Sequence, residues 1–440
     1  MTSMEIRPAA AIRGSMSIPG DKSISHRAVM FGALAEGTTR ITNFLESADC
    51  RSTLAVFRAM GIDAEDGIQP DGSGNLLIHG KGLHGLRAPE CTLDCGNSGT
   101  TIRLMSGILA GQTFAVRLTG DASIQKRPMG RVIRPLSLMG ADIRGEKEAG
   151  LAPLLIQGRP LHGIHYDSPV ASAQVKSAIL LAGLYADGDT SVTEPALSRD
   201  HTERMLAGFG ADCRSEGTTA HLVPGHVLSA LDVHVPGDIS SAAYFLAAAC
   251  LLPNSEFRTE CVGTNPTRDG FLRAAAAMGA AIARDGECTF SGEPTADLTA
   301  KSSALHGTVI GGALIPALID ELPILAVMAA CADGETIIRD AAELKVKESN
   351  RIDLMVQNLS AMGADIAATD DGMIIHGGRP LHGAAIDPAG DHRIAMAMTV
   401  AALAADSPSI LLDRECVAIS FPDFFERLNR FATNNNGVTE

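Results

Sequence analysis

At 440 residues, with 45% hydrophobic and 20% charged side chains, the chain is too long for one hydrophobic core, so two domains are expected. A formal charge of −15, no Trp and only 3 Tyr argue against a surface that binds nucleic acid through basic charge and stacked aromatics. An acidic chain can still bind small anions where its Lys and Arg gather in one place.

The opening MTSMEIRP lacks the basic-then-apolar profile of a signal peptide. The longest apolar stretches, such as AAYFLAAACLL, fall short of the roughly 20 residues that span a bilayer. Cysteines stand at 50, 91, 95, 213, 250, 261, 288, 331 and 416 with no C-x-x-C pair, which reads as free thiols in a reducing compartment. The expectation is a cytoplasmic protein with no membrane partner.

In chain order, the segment 6–25, IRPAAAIRGSMSIPGDKSIS, reads as a strand, a P-G-D turn and a helix start. Then come an apolar helix (RAVMFGALAEG), a strand (GTTRIT), an amphipathic helix ending in AMGIDAEDG at 59–67, and a strand pair around LLIHGKGLHG at 76–85. The same order returns. LMGADIRGE (138–146), GFGADCRSE (208–216), AMGAAIARD (277–285) and AMGADIAAT (361–369) repeat the helix end, where Gly takes the left-handed conformation. LLIQGRPLHG (154–163) and IIHGGRPLHG (374–383) repeat the strand-pair phrase. Strand-like openings GQTFAVRL, GDTSVT, SEFRTE, GETIIRD and SPSILLD complete six units.

The sixth unit ends after its second helix, FPDFFERLNRFA, without a strand pair. The segment 222–241, LVPGHVLSALDVHVPGDISS, matches 6–25 in its P-G-D turn, so the N-terminal segment is expected to complete the second half. The boundaries this implies are 19–235 for domain one and 1–18 plus 236–440 for domain two.

The starts of the six apolar helices carry the chemistry: GDKSISHR (20–27), GNSGTTIR (96–103), SAQVK (172–176), GDISS (237–241), IDELP (319–323) and GDHR (390–393). A helix N-terminus offers unpaired N–H groups to anions. Cations there are disfavoured by the helix dipole, so Lys22, Arg27, Arg103 and Arg393 point to bound phosphate or carboxylate. A P-loop is excluded: Gly14 and Gly20 are one residue too far apart, and Asp21 stands before Lys22.

Three further stretches carry reactive groups. DASIQKRPMGR (121–131) is a basic loop with Lys126, Arg127 and Arg131. ELKVKESNRIDLM (343–355) is expected to place Lys347 and Arg351 on one helix face, with Glu348 beside them. IDELPIL offers Asp320 and Glu321 either as N-caps or as a general acid or base. The 13 histidines are dispersed and suggest no metal site.

PGDKSISHR, GNSGTTIRL, QKRPMGR, SAQVKSA, SRDHTE, IDELP, KVKESNR, GDHRIAMA and SFPDFF together resemble the 5-enolpyruvylshikimate-3-phosphate synthase family over essentially the whole chain. GDKS, SAQVK, RDHTE and NPTR (265–268) are similar to its class II branch. The resemblance implies an α/β (α+β) fold of two similar domains, each of three βαβαββ repeats, arranged as an inside-out α/β barrel, with helix N-termini facing an interdomain cleft. It implies transfer of the carboxyvinyl group of phosphoenolpyruvate to the 5-hydroxyl of shikimate 3-phosphate, without metal or organic cofactor, by a monomer.

By the same resemblance, Lys22, Ser23, Arg27, Ser172, Ala173, Gln174, Arg199, Asp320 and Lys347 hold shikimate 3-phosphate. Lys22, Gly99, Arg127, Gln174, Arg351 and Arg393 hold phosphoenolpyruvate. Asp320 is the expected base, Glu348 the proton donor, and Lys22 assists. Some relatives carry Lys where this chain has Ile419, so one contact is absent. Two alternatives stay open: the sister transferase acting on UDP-N-acetylglucosamine, whose reactive Cys is missing from 121–131, and a non-catalytic anion-binding relative.

Overall fold

The computed structural model describes residues 2–68, 74–147 and 150–433. The chain forms two compact units, one of Gly20–Pro236 with Thr289–Glu293, the other of Met1–Pro19, Gly237–Cys288 and Pro294–Glu440. The short Thr289–Glu293 stretch therefore groups with the first unit, outside the contiguous span expected for it.

In the first unit the apolar helices Lys22–Leu34, Gly99–Ala110 and Ala173–Gly183 are buried along almost their whole length. They are hydrophobic on all sides because they have no solvent face. Gly107 permits their close approach: a Cβ there would lie 2.1 Å from the Ala178 carbonyl oxygen. The helices Ala48–Ala59, Gly130–Leu138 and His201–Gly208 keep one face toward solvent.

Three four-stranded sheets cover these helices, each an edge strand parallel to a second strand that continues into an antiparallel hairpin. In one of them Glu36–Phe44 pairs with Gly74–Lys81, while its parallel edge strand is Val233–His234, from the far end of the unit.

The second unit repeats the plan around Ile239–Leu251, Leu322–Cys331 and His392–Leu403. The strand Ala11–Ser17 runs parallel to Glu256–Gly263. Met4–Ile6 pairs antiparallel with Ser409–Leu411, the position a hairpin strand fills elsewhere. Among the described residues the six sheets remain separate and open, so the barrel is only a loose description of this α/β architecture.

The repeated glycine ends the amphipathic helices as its sequence context predicts. Gly61, Gly140, Gly210, Gly279 and Gly363 have φ of 86°, 93°, 97°, 84° and 89°. One helix differs from expectation. Lys347 lies outside the helix Arg351–Ala361, which starts only where Asn350 caps it by accepting from Asp353 N. Lys347 and Arg351 therefore share no helix face.

Candidate functional site

In the first unit Asp21 acts as a cap: its carboxylate accepts from Ile24 N at 2.9 Å. That leaves Lys22 as the first helical residue, with its ammonium paired to Asp49 and its side chain 19% exposed. Ser23 is half-buried next to it. Arg27, one turn on, donates to Ser23 O (2.9 Å), Ser177 Oγ (2.8 Å) and Thr202 Oγ1 (2.7 Å), which joins the first apolar helix to the third. Burial lowers its guanidinium to about 10, with Glu203 and Asp21 working against the shift and Arg199 reinforcing it.

The second helix start is equally crowded with cations. Ser98 caps it, and Arg103 donates to Gly99 O (3.2 Å) and Gln174 Oε1 (2.9 Å). Arg127 reaches Asn97 Oδ1 (3.4 Å) and Ser123 Oγ (3.3 Å). A Cβ on Gly99 would stand 2.6 Å from Arg103 Nη1 and 3.2 Å from Arg127 Nη1, so glycine is what lets both guanidinium groups close on this backbone. At the third start, Ser172 makes no side-chain cap; Ala173 and Gln174 follow it, and Gln174 also donates to Thr100 Oγ1 at 3.2 Å. Arg199 is half-buried after Ser198.

The second unit gathers its charges around Asp320. The chain bends by 112° between Gly312–Leu318 and Leu322–Cys331, and Asp320 and Glu321 sit at that bend without capping the helix. Lys347 Nζ (3.7 Å), Arg351 Nη1 (3.4 Å) and Arg393 Nη2 (3.8 Å) surround the Asp320 carboxylate. Arg351 is buried and also donates to Glu348 Oε2 (2.5 Å) and Asp391 Oδ2 (2.8 Å). Burial alone would lower the Arg351 guanidinium; Asp391 and then Glu348 reverse this and hold it above its usual value. Asp391 also caps its own helix through Arg393 N at 2.9 Å, so one carboxylate holds the Arg351 side chain and the Arg393 backbone.

Each unit thus brings together its own share of the residues singled out from the sequence: Lys22, Ser23, Arg27, Gly99, Arg127, Ser172, Ala173, Gln174 and Arg199 in the first, Asp320, Lys347, Glu348, Arg351 and Arg393 in the second. Sequence reasoning missed Asp49 and Glu194, and it missed Lys176 and Asp391 as ion-pair partners, because the groups they pair with are distant in the chain. Lys126 is exposed, and Ile419 is half-buried beside the buried Phe421. Among the described residues, no group of three or more His, Cys, Asp or Glu could hold a metal ion.

Residues 6–428 match the family described as EPSP synthase (3-phosphoshikimate 1-carboxyvinyltransferase). The chain belongs to the EPSP synthase family. It is 53% identical over 432 residues to the 3-phosphoshikimate 1-carboxyvinyltransferase of Geobacter sulfurreducens, covering 98% of this chain and 100% of that one. The enzyme of the same name from Desulforudis audaxviator is 54% identical over 97% of this chain and 98% of its own. Among solved structures, an EPSP synthase from Acinetobacter baumannii superposes with a TM-score of 0.88 at 47% identity, covering 99% of each chain. No single helix among the described residues is long and apolar enough to cross a membrane.

Proposed function

We propose that this EPSP synthase family member transfers the carboxyvinyl group of phosphoenolpyruvate to the 5-hydroxyl of shikimate 3-phosphate, releasing phosphate, as a step of aromatic amino-acid biosynthesis. The observation that carries the reading is the set of paired cationic helix starts in an acidic chain: both substrates are anions. Lys22, Ser23, Arg27, Ser172, Ala173, Gln174, Arg199, Asp320 and Lys347 bind shikimate 3-phosphate. Gly99, Arg127, Gln174, Arg351 and Arg393 bind phosphoenolpyruvate, with Lys22 serving both. The planar guanidinium groups suit carboxylate and phosphate oxygens, which they bind two at a time.

The addition step needs a proton taken from the 5-hydroxyl and a proton given to the vinyl methylene, forming a tetrahedral ketal that then expels phosphate. Asp320 takes the first and Glu348 gives the second, with Lys22 assisting. A substrate carboxylate on Arg351 competes with Glu348 for Nη2 and frees the Glu348 carboxyl to face the substrate. The same reading takes the enzyme as a monomer. The nine cysteines, all free, fit a reducing cytoplasm.

The direct test is phosphate release from phosphoenolpyruvate with and without shikimate 3-phosphate. Release that requires the shikimate is expected; release without it, or none in either case, overturns the reading. Asp320→Ala should lower kcat by about 10²–10⁴-fold with an unchanged circular dichroism spectrum. Near-normal turnover removes Asp320 from the role of base.

A further inference from the structure

Two backbone segments in the proposed shikimate 3-phosphate site, Ser172–Gln174 and Ser198–Arg199, are held by one side chain outside the chemistry. Glu194, 2% exposed, follows the strand Thr190–Thr193. Its Oε1 accepts from Ser172 N at 2.8 Å. Its Oε2 accepts from Ser198 Oγ at 2.7 Å and from Ser198 N at 3.4 Å.

The carboxylate is fixed from below by Lys176, itself 2% exposed. Lys176 Nζ lies 2.9 Å from Glu194 Oε2 and 2.8 Å from Glu203 Oε1, and donates to Ser198 O at 3.4 Å. Its ammonium therefore stands between two carboxylates and a backbone carbonyl. Burial alone would lower the Lys176 ammonium, but Glu203 and Glu194 reverse this and raise it, so it stays charged. Glu203 also acts on Arg27, so the buried set joins two cations to two carboxylates.

Burying four ionisable groups is costly, and apolar residues of similar volume would pack at least as well. The charged set gives what an apolar cluster cannot: a fixed, directional hold on two backbone segments from one point.

We propose that Glu194 is a positioning residue for shikimate 3-phosphate, setting the spacing between the helix start Ser172–Gln174 and Arg199. The proposal rests on the reading that those residues bind this substrate. Glu194 touches no substrate; it acts through Ser172 N and Ser198.

Glu194→Gln keeps the shape but replaces one acceptor oxygen by a donor, so one of the two holds is lost. The expected result is a roughly tenfold higher KM for shikimate 3-phosphate, with the KM for phosphoenolpyruvate and kcat changed less than about twofold. Calorimetric titration with shikimate 3-phosphate alone should show the same loss of affinity. A purely structural role would shift the melting temperature without separating the two KM values.

Ser198→Ala removes only the hydroxyl contact and should raise the same KM about threefold; it decides the matter if Glu194→Gln fails to fold. Arg199→Ala separates the two levels of the argument. If it raises the shikimate KM while Glu194→Gln and Ser198→Ala leave it unchanged, the positioning proposal is overturned and the site stands. If Arg199→Ala also leaves it unchanged, the assignment of this site falls, and the proposal with it.

Discussion

The helix starts Lys22–Leu34 and Ile239–Leu251 follow the same P-G-D turn, and each is capped by its Asp, Asp21 accepting from Ile24 N and Asp238 from Ser240 N. Their charges have gone different ways. After Asp21 come Lys22 and, further along, His26 and Arg27; the matching positions after Asp238 are Ile239, Ala243 and Tyr244. At the second start the cation comes from outside the helix. Arg268 donates to Ser240 Oγ (2.7 Å), Glu321 Oε1 (3.1 Å) and Asp238 Oδ1 (3.4 Å), and its side chain is 4% exposed. Ser240 in turn donates to Glu321. The repeat keeps its turn and its cap in both copies; the proposed function gives the cations of the first copy a ligand to bind, while Arg268 in the second is taken up by its own carboxylates.

The largest effects should separate these two outcomes. Lys22→Met removes the cation of the first start and is expected to lower kcat at least about a thousandfold, with a smaller loss of stability from the buried Asp49 left without its partner. Turnover near the parent value would break the comparison at once. Arg268→Met should do the reverse, costing about 3–5 kcal/mol because Glu321 and Asp238 stay buried without their main cation. Thermal unfolding should then fall by roughly 10 °C. A loss of activity at unchanged stability would show that the second start is not the self-satisfied one.

What could be read in advance follows from range. The P-G-D turns, the six apolar helices and the left-handed glycines are local, and a single short phrase specifies each. The barrel that the family resemblance implied describes the open sheets only loosely, because repeat order fixes which strands follow one another but not whether an edge closes. Lys347 and Arg351 were put on one helix because their spacing fits one; Asn350, a capping residue between them, was the available signal that the helix starts later. Asp49 and Glu194 could not be read as partners of Lys22 and Ser172, since nothing local distinguishes them from surface carboxylates. Asp391 was visible as a cap in GDHR but not as the partner of Arg351, 40 residues away.

His26 sharpens the comparison at a smaller scale, since Ala243 replaces it in the other copy. Its ring is buried with Nδ1 2.6 Å from Thr53 Oγ1, and Thr53 continues to Thr101 Oγ1 at 2.7 Å, joining three helices of the first unit. Burial, then Lys22 and Arg27, hold its pKa well below 6.5. The unfolded chain takes up a proton near pH 6.5 while the folded chain does not, so the stability gained from a neutral His26 is complete above that pH and declines below it. The decline is at most about 1.4 kcal/mol per pH unit. His26→Asn should therefore be less stable than the parent at pH 8, and the gap should narrow by about 1 kcal/mol at pH 5.5. A gap that stays constant between these pH values means the folded chain protonates His26 as readily as the unfolded one.

The smallest effects test the part of the comparison that the copies share. Gly208 ends the helix His201–Gly208, and a Cβ there would meet nothing within 4 Å. Two residues later Gly210 stands at φ +97°, with Val227 O the nearest atom to a built Cβ at 3.4 Å, an ordinary contact. Space is thus available at both positions, and only the backbone conformation differs. Gly208→Ala should raise stability by about 0.5–1 kcal/mol by restricting the unfolded chain. Gly210→Ala should lower it by about 1–2 kcal/mol, because an L side chain resists the left-handed region. Chemical denaturation of the two variants reads both signs directly. Equal effects would mean that the repeated M-G-A-D turn is kept for packing; opposite signs mean that it is kept because the chain must turn through positive φ in every copy, whatever charges that copy carries.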